Sequence, residues 1–361
     1  MTSSSLHGSH ATIPSLDGIR ALSVAIVVAG HAGISHRIPG GFGVTVFFFL
    51  SGFLITTLFF REFQKYGGIS LKSFYIRRLI RLSPPLFVTL AIVYGLVAMD
   101  FLPGTLDPLA IISQMFYFYN YYAILPGSTE GATGFNVLWS LSVEEHFYLL
   151  YPILFLAFLS KKMKIWHFFT LLVLFLLWRM INWYLIGASS EDIYMRSDTR
   201  FDSILWGCFL AIIQNTKIAE KIMPSRAMTI WLAVSASILA FCFVYRNDAF
   251  RETWRYSLQG FALMPVFYYS IEKSHSLAFR WLNWKPLVRI GVWSYSIYLI
   301  HYVILSALKF YDLRLSAVTA FLIAAVGGII YAAILERYVE MPVRAIRNKI
   351  TGHNRLPRKS E

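Results

Sequence analysis

Two ionisable residues stand out within the first apolar segment, SLDGIRALSVAIVVAGHAG: Arg20 and His31, eleven positions apart. On an α-helix eleven steps turn about 1100°, or about 20° past three full turns, so both side chains face one way with a rise of about 16 Å between them. Ionisable side chains inside an apolar span are costly, and each is a functional hypothesis by default. An arginine suits phosphate and an imidazole suits proton transfer at a reactive carbonyl. Their separation is on the order of the length of an extended pantetheine arm, so the pair suits coenzyme A. Two structural readings stand beside this one. Asp17 and Arg20 are three apart and can form a local ion pair, and His31 can be a packing histidine.

A second constellation is WSLSVEEHFYLLYP, residues 139–152, which sets Glu144, Glu145 and His146 at the start of another apolar run. Ser142-x-x-Glu145 fits a capping box, a purely structural role for Glu145. Glu144 has no such role, and Tyr148 lies one turn further on the same face. A carboxylate here could orient His31 or take a proton from an acceptor hydroxyl. The third constellation is SFYIRRLIRLSPP, residues 73–85, with Arg77, Arg78 and Arg81. It reads equally as a membrane anchor and as a phosphate-binding loop, for which arginine's forked donors are suited.

Weaker signals follow. Arg200 and Asp202, in TRFDSILWG, could form an ion pair. Ser294, Tyr298 and His301, in SYSIYLIH, fall on one helical face, and His301 reads equally as packing or catalytic. Gly41-x-x-x-Thr45 reads as a helix-packing motif. No Gly-rich phosphate loop, Gly-x-Ser-x-Gly elbow or metal-ligand cluster occurs. Cys208 and Cys242 lie in apolar stretches and read as small core residues.

The elements that must position these residues are membrane helices. Hydrophobic residues make up 57% of the 361 and charged residues 14%, where soluble domains hold about 45–50% and about 25%. Candidate spans fall at 15–35, 41–60, 84–101, 138–159, 166–186, 200–215, 227–245, 256–271, 289–310 and 315–336. The aromatic segment 109–125 is an eleventh candidate, and charge decides against it. With ten spans, the stretches 61–83, 160–165, 216–226, 272–289 and 337–361 share one side and carry 6, 3, 3, 4 and 7 of the 33 Lys and Arg residues. An eleventh span would destroy that bias, so 102–137 reads as an extracytoplasmic loop and both termini as cytoplasmic. Met1–Pro14 lack a basic region followed by an apolar core, so no cleavable signal peptide is expected. The net charge of +14 then belongs to cytoplasmic loops beside acidic lipid headgroups rather than to a nucleic-acid surface. The expected organisation is a polar tail at 1–14, an all-α polytopic domain at 15–336 and a basic tail at 337–361.

These motifs together resemble the acyltransferase 3 family. LDGIRALSVAIVVAGH resembles the family's opening, with arginine, ten residues, then histidine. GGFGVTVFFFLSGFLIT resembles its second helix, and Arg78-Leu-Ile-Arg81 followed by prolines its RxxR loop. WSLSVEEHFYLLYP resembles its WSLxxExxFYLxxP segment, with the fixed glutamate on Glu144, and RFDSILWG and SYSIYLIH resemble later motifs. The resemblance covers roughly 15–345. It implies ten helices, an acyl-CoA donor, commonly acetyl-CoA, used from the cytoplasm, and a carbohydrate hydroxyl as acceptor, as in lipopolysaccharide or an exopolysaccharide. It further implies residence in the bacterial cytoplasmic (inner) membrane and no metal. Some members carry a fused extracytoplasmic SGNH hydrolase-like domain; this chain is expected to lack one, and a separate extracytoplasmic partner would then receive the acyl group. On this reading His31, Glu144 and Arg20 are catalytic, with Glu144 orienting His31. Arg78, Arg81 and Arg20 hold the donor, and Tyr148, Arg200, Asp202, Tyr298 and His301 meet the acceptor. The rival reading is a proton-coupled transporter or flippase, against which counts the lack of an evident inverted repeat.

Overall fold

The computed structural model describes residues 13–34 and 40–345. It contains ten long helices: α1 (Pro14–His31), α2 (Gly40–Tyr66), α3 (Leu71–Ala98), α4 (Trp139–Leu159), α5 (Ile165–Ile181), α6 (Ser197–Asn215), α7 (Met228–Val244), α8 (Trp254–Glu272), α9 (Ser294–Phe310) and α10 (Ala317–Leu335). Each overlaps one expected span, with α3 beginning 13 residues before residue 84, where its span was expected to start. Among the described residues there is no strand, only an isolated bridge between Gly104 and Ala132. The tails expected at 1–14 and 337–361 lie largely outside the described residues.

Six of these helices (α2, α3, α4, α5, α7 and α10) are long and apolar enough to cross a membrane. The bent pair Lys285–Val292 and α9, whose axes meet at 72°, makes a seventh if it is counted as one broken span. The chain is thus a polytopic membrane protein. The three that fall short, α1, α6 and α8, carry much of the buried polar inventory, including Ser23, Arg200, Asp202, Ser257 and Gln259. A helix surrounded by protein meets no lipid, so its composition follows its neighbours instead.

α2 and α6 cross at close range. A Cβ on Gly52 would sit 1.9 Å from the Ile204 carbonyl oxygen, and one on Gly207 1.8 Å from that of Phe49. Backbone lies against backbone there, as small residues permit in membrane bundles. Gly52 is thus the α2 residue that admits α6, while the stretch from Gly41 to Thr45 packs elsewhere, Gly41 on Tyr194 and Gly43 on the α1 backbone at Ser23. Thr45 instead accepts a hydrogen bond from Arg200.

Two further expectations are revised. Residues 73–85 are not a loop: Ser70 accepts the amide of Ser73 and starts α3, which continues through Pro84 and Pro85. Arg78 and Arg81 thereby become neighbours on a helix face. Ser142 caps nothing, because α4 already begins at Trp139 and the Ser142 hydroxyl bonds back to the Leu138 carbonyl. Segment 109–125 forms a short helix, Pro108–Met115, and a single turn, Tyr119–Tyr122.

Candidate active site

His31 is the last residue of α1, and α9 brings His301 to it. His31 Nδ1 lies 2.9 Å from His301 Nε2. His301 Nδ1 lies 2.7 Å from the backbone carbonyl of Tyr298. A carbonyl can only accept, so His301 carries its proton on Nδ1. A neutral His301 then offers a lone pair at Nε2, to which His31 Nδ1 must donate. His31 Nε2 is left with a lone pair and no proton. The His31 ring is held from the side by Tyr302, whose centroid is 4.6 Å away. His301 is fully buried, and its orientation is fixed by packing as well as by the carbonyl.

His31 opens on a cavity of about 120 Å³ whose walls include Gly40, Asn136, Trp139, Tyr194 and Tyr298. The Tyr298 hydroxyl donates to the Val137 carbonyl at 2.9 Å and lies 2.8 Å from Ser140 Oγ. It pins the start of α4, and with it Trp139, against α9. Asn136 Oδ1 is buried without a partner among the described residues, leaving an acceptor in a residue of the cavity wall.

A second polar cluster lies further along α1 and α4. Glu144 accepts from Ser51 Oγ at 2.9 Å and from the Tyr148 hydroxyl at 3.4 Å. The Arg78 guanidinium lies 3.8 Å above the Tyr148 ring. The charges of Arg78 and Arg20 act on Glu144, and that of Arg78 on Glu145. Arg20 pairs with Asp17 at 3.7 Å, and Arg81 acts on the same carboxylate. Arg77 is held by Glu62 at 2.8 Å, which leaves Arg78 and Arg81 to this cluster. Arg20 Nε and Glu145 Oε1 are buried without hydrogen-bond partners among the described residues. The expected contact of Glu144 with His31 is not formed. Glu144 lies five residues into α4, about 7.5 Å along the axis from Trp139, and faces Ser51 and the arginines instead.

The expected Arg200–Asp202 pair is also not formed. Asp202 pairs with Arg179, Nη1 to Oδ1 at 2.7 Å and Nη2 to Oδ2 at 2.8 Å. Arg179 further donates to the carbonyls of Thr253 and Thr199 and to Ser257 Oγ, and Ser257 donates to Asp202. Both side chains are fully buried. Asp202 thus belongs to a closed clamp joining α5, α6 and α8, away from the cavity.

The family model of an acyltransferase domain, that of acyltransferase 3, matches residues 13–337. The chain belongs to the acyltransferase 3 family. The peptidoglycan O-acetyltransferase OatA of Listeria monocytogenes is 30% identical over 349 residues, covering 92% of this chain and 56% of that protein. The O-acetyltransferase OatA of Staphylococcus aureus is 30% identical over 354 residues, covering 92% and 57%. The chain thus spans little more than half the length of these relatives. No solved structure matches.

In this chain His31 and Tyr298 line one cavity with His301 behind His31, and Arg20, Arg78, Glu144 and Tyr148 gather in a second cluster. Arg200 stands behind the cavity wall, 5.2 Å from the Tyr194 ring and 5.6 Å from the Trp139 ring. Sequence reasoning missed Ser51, Asn136, Arg179 and Tyr194. Only Arg179 carried a signal, as a charge at the end of the apolar run IWHFFTLLVLFLLWRMI.

Proposed function

We propose that this protein transfers an acetyl group from cytoplasmic acetyl-CoA to a hydroxyl of a cell-envelope carbohydrate, within the bacterial cytoplasmic membrane. The observation that carries the reading is the relay from the Tyr298 carbonyl through His301 to His31, which directs one unprotonated nitrogen at a small cavity. His31 Nε2 takes the proton of the acceptor hydroxyl as its oxygen bonds to the acyl carbon. The carbon–sulfur bond breaks, and the departing thiolate recovers that proton from His31. No atom is left over, and the thiol and the ester are the products. His301 acts as a positioning residue, the part a carboxylate plays beside other catalytic histidines.

The cavity of about 120 Å³ suits a two-carbon acyl group with one hydroxyl beside it. The saccharide and the coenzyme remain outside it. Arg78, Arg81 and Arg20 meet the donor phosphates, and Glu144 keeps Arg78 and Arg20 gathered when no donor is bound. The two relatives named above are called O-acetyltransferases, one of them of peptidoglycan, which supports a glycan acceptor.

The test uses purified protein in nanodiscs with [14C]acetyl-CoA and peptidoglycan or polysaccharide fragments. Label is expected on the glycan with wild-type protein, and loss of at least a hundredfold in rate with His31→Ala. A folded His31→Ala protein that keeps full transfer refutes the assignment. Movement of glycan across the bilayer without label transfer favours a flippase.

A further inference from the structure

Arg179 and Arg200 are the two fully buried arginines near one another on the inner faces of α5 and α6, and they are treated differently. Arg179 closes its donors on a carboxylate, two carbonyls and a hydroxyl, all at 2.7–2.9 Å. Among the described residues Arg200 has two hydrogen bonds, both long: Nη1 to the Tyr194 carbonyl and Nη2 to Thr45 Oγ1, each 3.3 Å. Its Nε has no partner among the described residues. The nearest carboxylate in sequence, Asp202, is occupied by Arg179 and Ser257. Glu252 accepts from Tyr256, and the charges of Arg255 and Arg251 act on it more strongly than that of Arg200.

What surrounds Arg200 is aromatic. Its guanidinium lies 4.0 Å from the Tyr256 ring, 5.2 Å from Tyr194, 5.4 Å from Phe48 and 5.6 Å from Trp139. Such rings offset only part of the cost of removing an ion from water. The charge is retained in the buried site without a bonded anion of its own. Trp139 and Tyr194 are also cavity walls facing His31.

Resting on the acyl-transfer reading above, we propose that Arg200 supplies the positive charge that stabilises the oxyanion formed on the acyl carbonyl when the hydroxyl attacks. When the hydroxyl oxygen bonds to the acyl carbon, the carbonyl π electrons move onto its oxygen. That charge builds on the cavity side of the Trp139 and Tyr194 rings, behind which the guanidinium is already desolvated and already caged. It returns to the carbonyl when the carbon–sulfur bond breaks. A charge held in place before the reaction needs no rearrangement during it. The long 3.3 Å contacts leave the guanidinium charge only weakly compensated, so its field is available to the developing oxyanion.

The experiment has two arms on the full-length protein in nanodiscs. Arg200→Gln should lower kcat by about a hundredfold or more while leaving the acetyl-CoA KM within about threefold, and Arg200→Lys should recover part of the loss. Independently, wild-type protein should be inhibited at least about tenfold more strongly by methylphosphonate, a tetrahedral anion bearing a methyl group, than by uncharged tert-butanol of similar shape. Arg200→Lys should weaken the methylphosphonate effect. A folded Arg200→Gln protein with kcat within threefold of wild type overturns the proposal. If that variant does not fold, equal inhibition of wild type by the two probes overturns it instead. Loss of turnover in His31→Ala with full turnover in Arg200→Gln removes Arg200 alone, and full turnover in both removes the acyl-transfer reading at this cavity.

Discussion

At the residue scale, the His31–His301 relay makes a prediction that a packing role for His301 does not. His301→Ala removes the lone pair that receives the His31 proton, and kcat should fall by about a hundredfold with donor KM little changed. His301→Gln keeps a carbonyl oxygen near the place of Nε2 and should restore at least tenfold of that loss. Equal activity in the two variants would leave His301 as mere packing. The Arg179–Asp202 clamp predicts stability rather than turnover. Asp202→Asn strands a buried guanidinium, and removing one member of such a pair costs about 3–5 kcal/mol; a lower midpoint in thermal unfolding checks it. The candidates at Arg20, His31, Glu144 and His301 were legible because each is an ionisable residue in an apolar run. Their partners were not. His301 lies 270 positions from His31, Ser51 lies 93 from Glu144, and Arg179 lies 23 from Asp202. Closeness in sequence offered Arg200 for Asp202 and a mechanistic argument offered His31 for Glu144, and tertiary packing chose Arg179 and Ser51 instead.

At the element scale, apolar run length marked all ten helices, because lipid demands it of most of them. It failed at the start of α3, where the basic stretch 61–83 read as a loop and the span was expected only from residue 84. Pro85 leaves no break: its carbonyl accepts from Thr89 Oγ1 at 2.7 Å inside the continuing helix. The α2–α6 crossing gives a further expectation. Gly52→Leu cannot fit against the Ile204 carbonyl without parting the helices that carry Thr45 and Arg200. Overpacking of this kind costs about 1–3 kcal/mol or more, and the variant should lose thermal stability together with activity. The loop 102–137 has its own fastening. Tyr122 and Thr129 donate to Asp107 and hold its carboxyl below the usual carboxylate range. A depressed folded value means that this stabilisation is present above the unfolded pKa, near 3.9, and is lost as pH falls through the lower folded value. Amide protection around Thr129, corrected for intrinsic exchange, should hold from pH 8 to about 5 and fall only below about 4. Asp107→Asn should show the weaker protection at every pH.

At the scale of the whole molecule, α1 and α4 each join the arginine cluster to the cavity. α1 runs from Arg20 to His31 and α4 from Glu144 back to Trp139. If the basic loops face the cytoplasm, the donor enters beside α3 and its thioester reaches His31 through the bundle, with its phosphates left among the arginines. The distance along α1, about 16 Å, then sets which donors work well. Acetyl-CoA carries both the phosphates and the arm; the N-acetylcysteamine thioester carries only the thioester end. Arg78→Ala and Arg81→Ala should each raise the acetyl-CoA KM. A charge-assisted hydrogen bond contributes about 1.5–3 kcal/mol, or about tenfold and upward. The same variants should leave the KM for the short thioester nearly unchanged, because that donor never reaches the cluster. Wild-type preference for the longer donor would collapse accordingly. If both donors suffer equally, the arginines hold the fold of α3 rather than the phosphates, and the donor must approach His31 by another route.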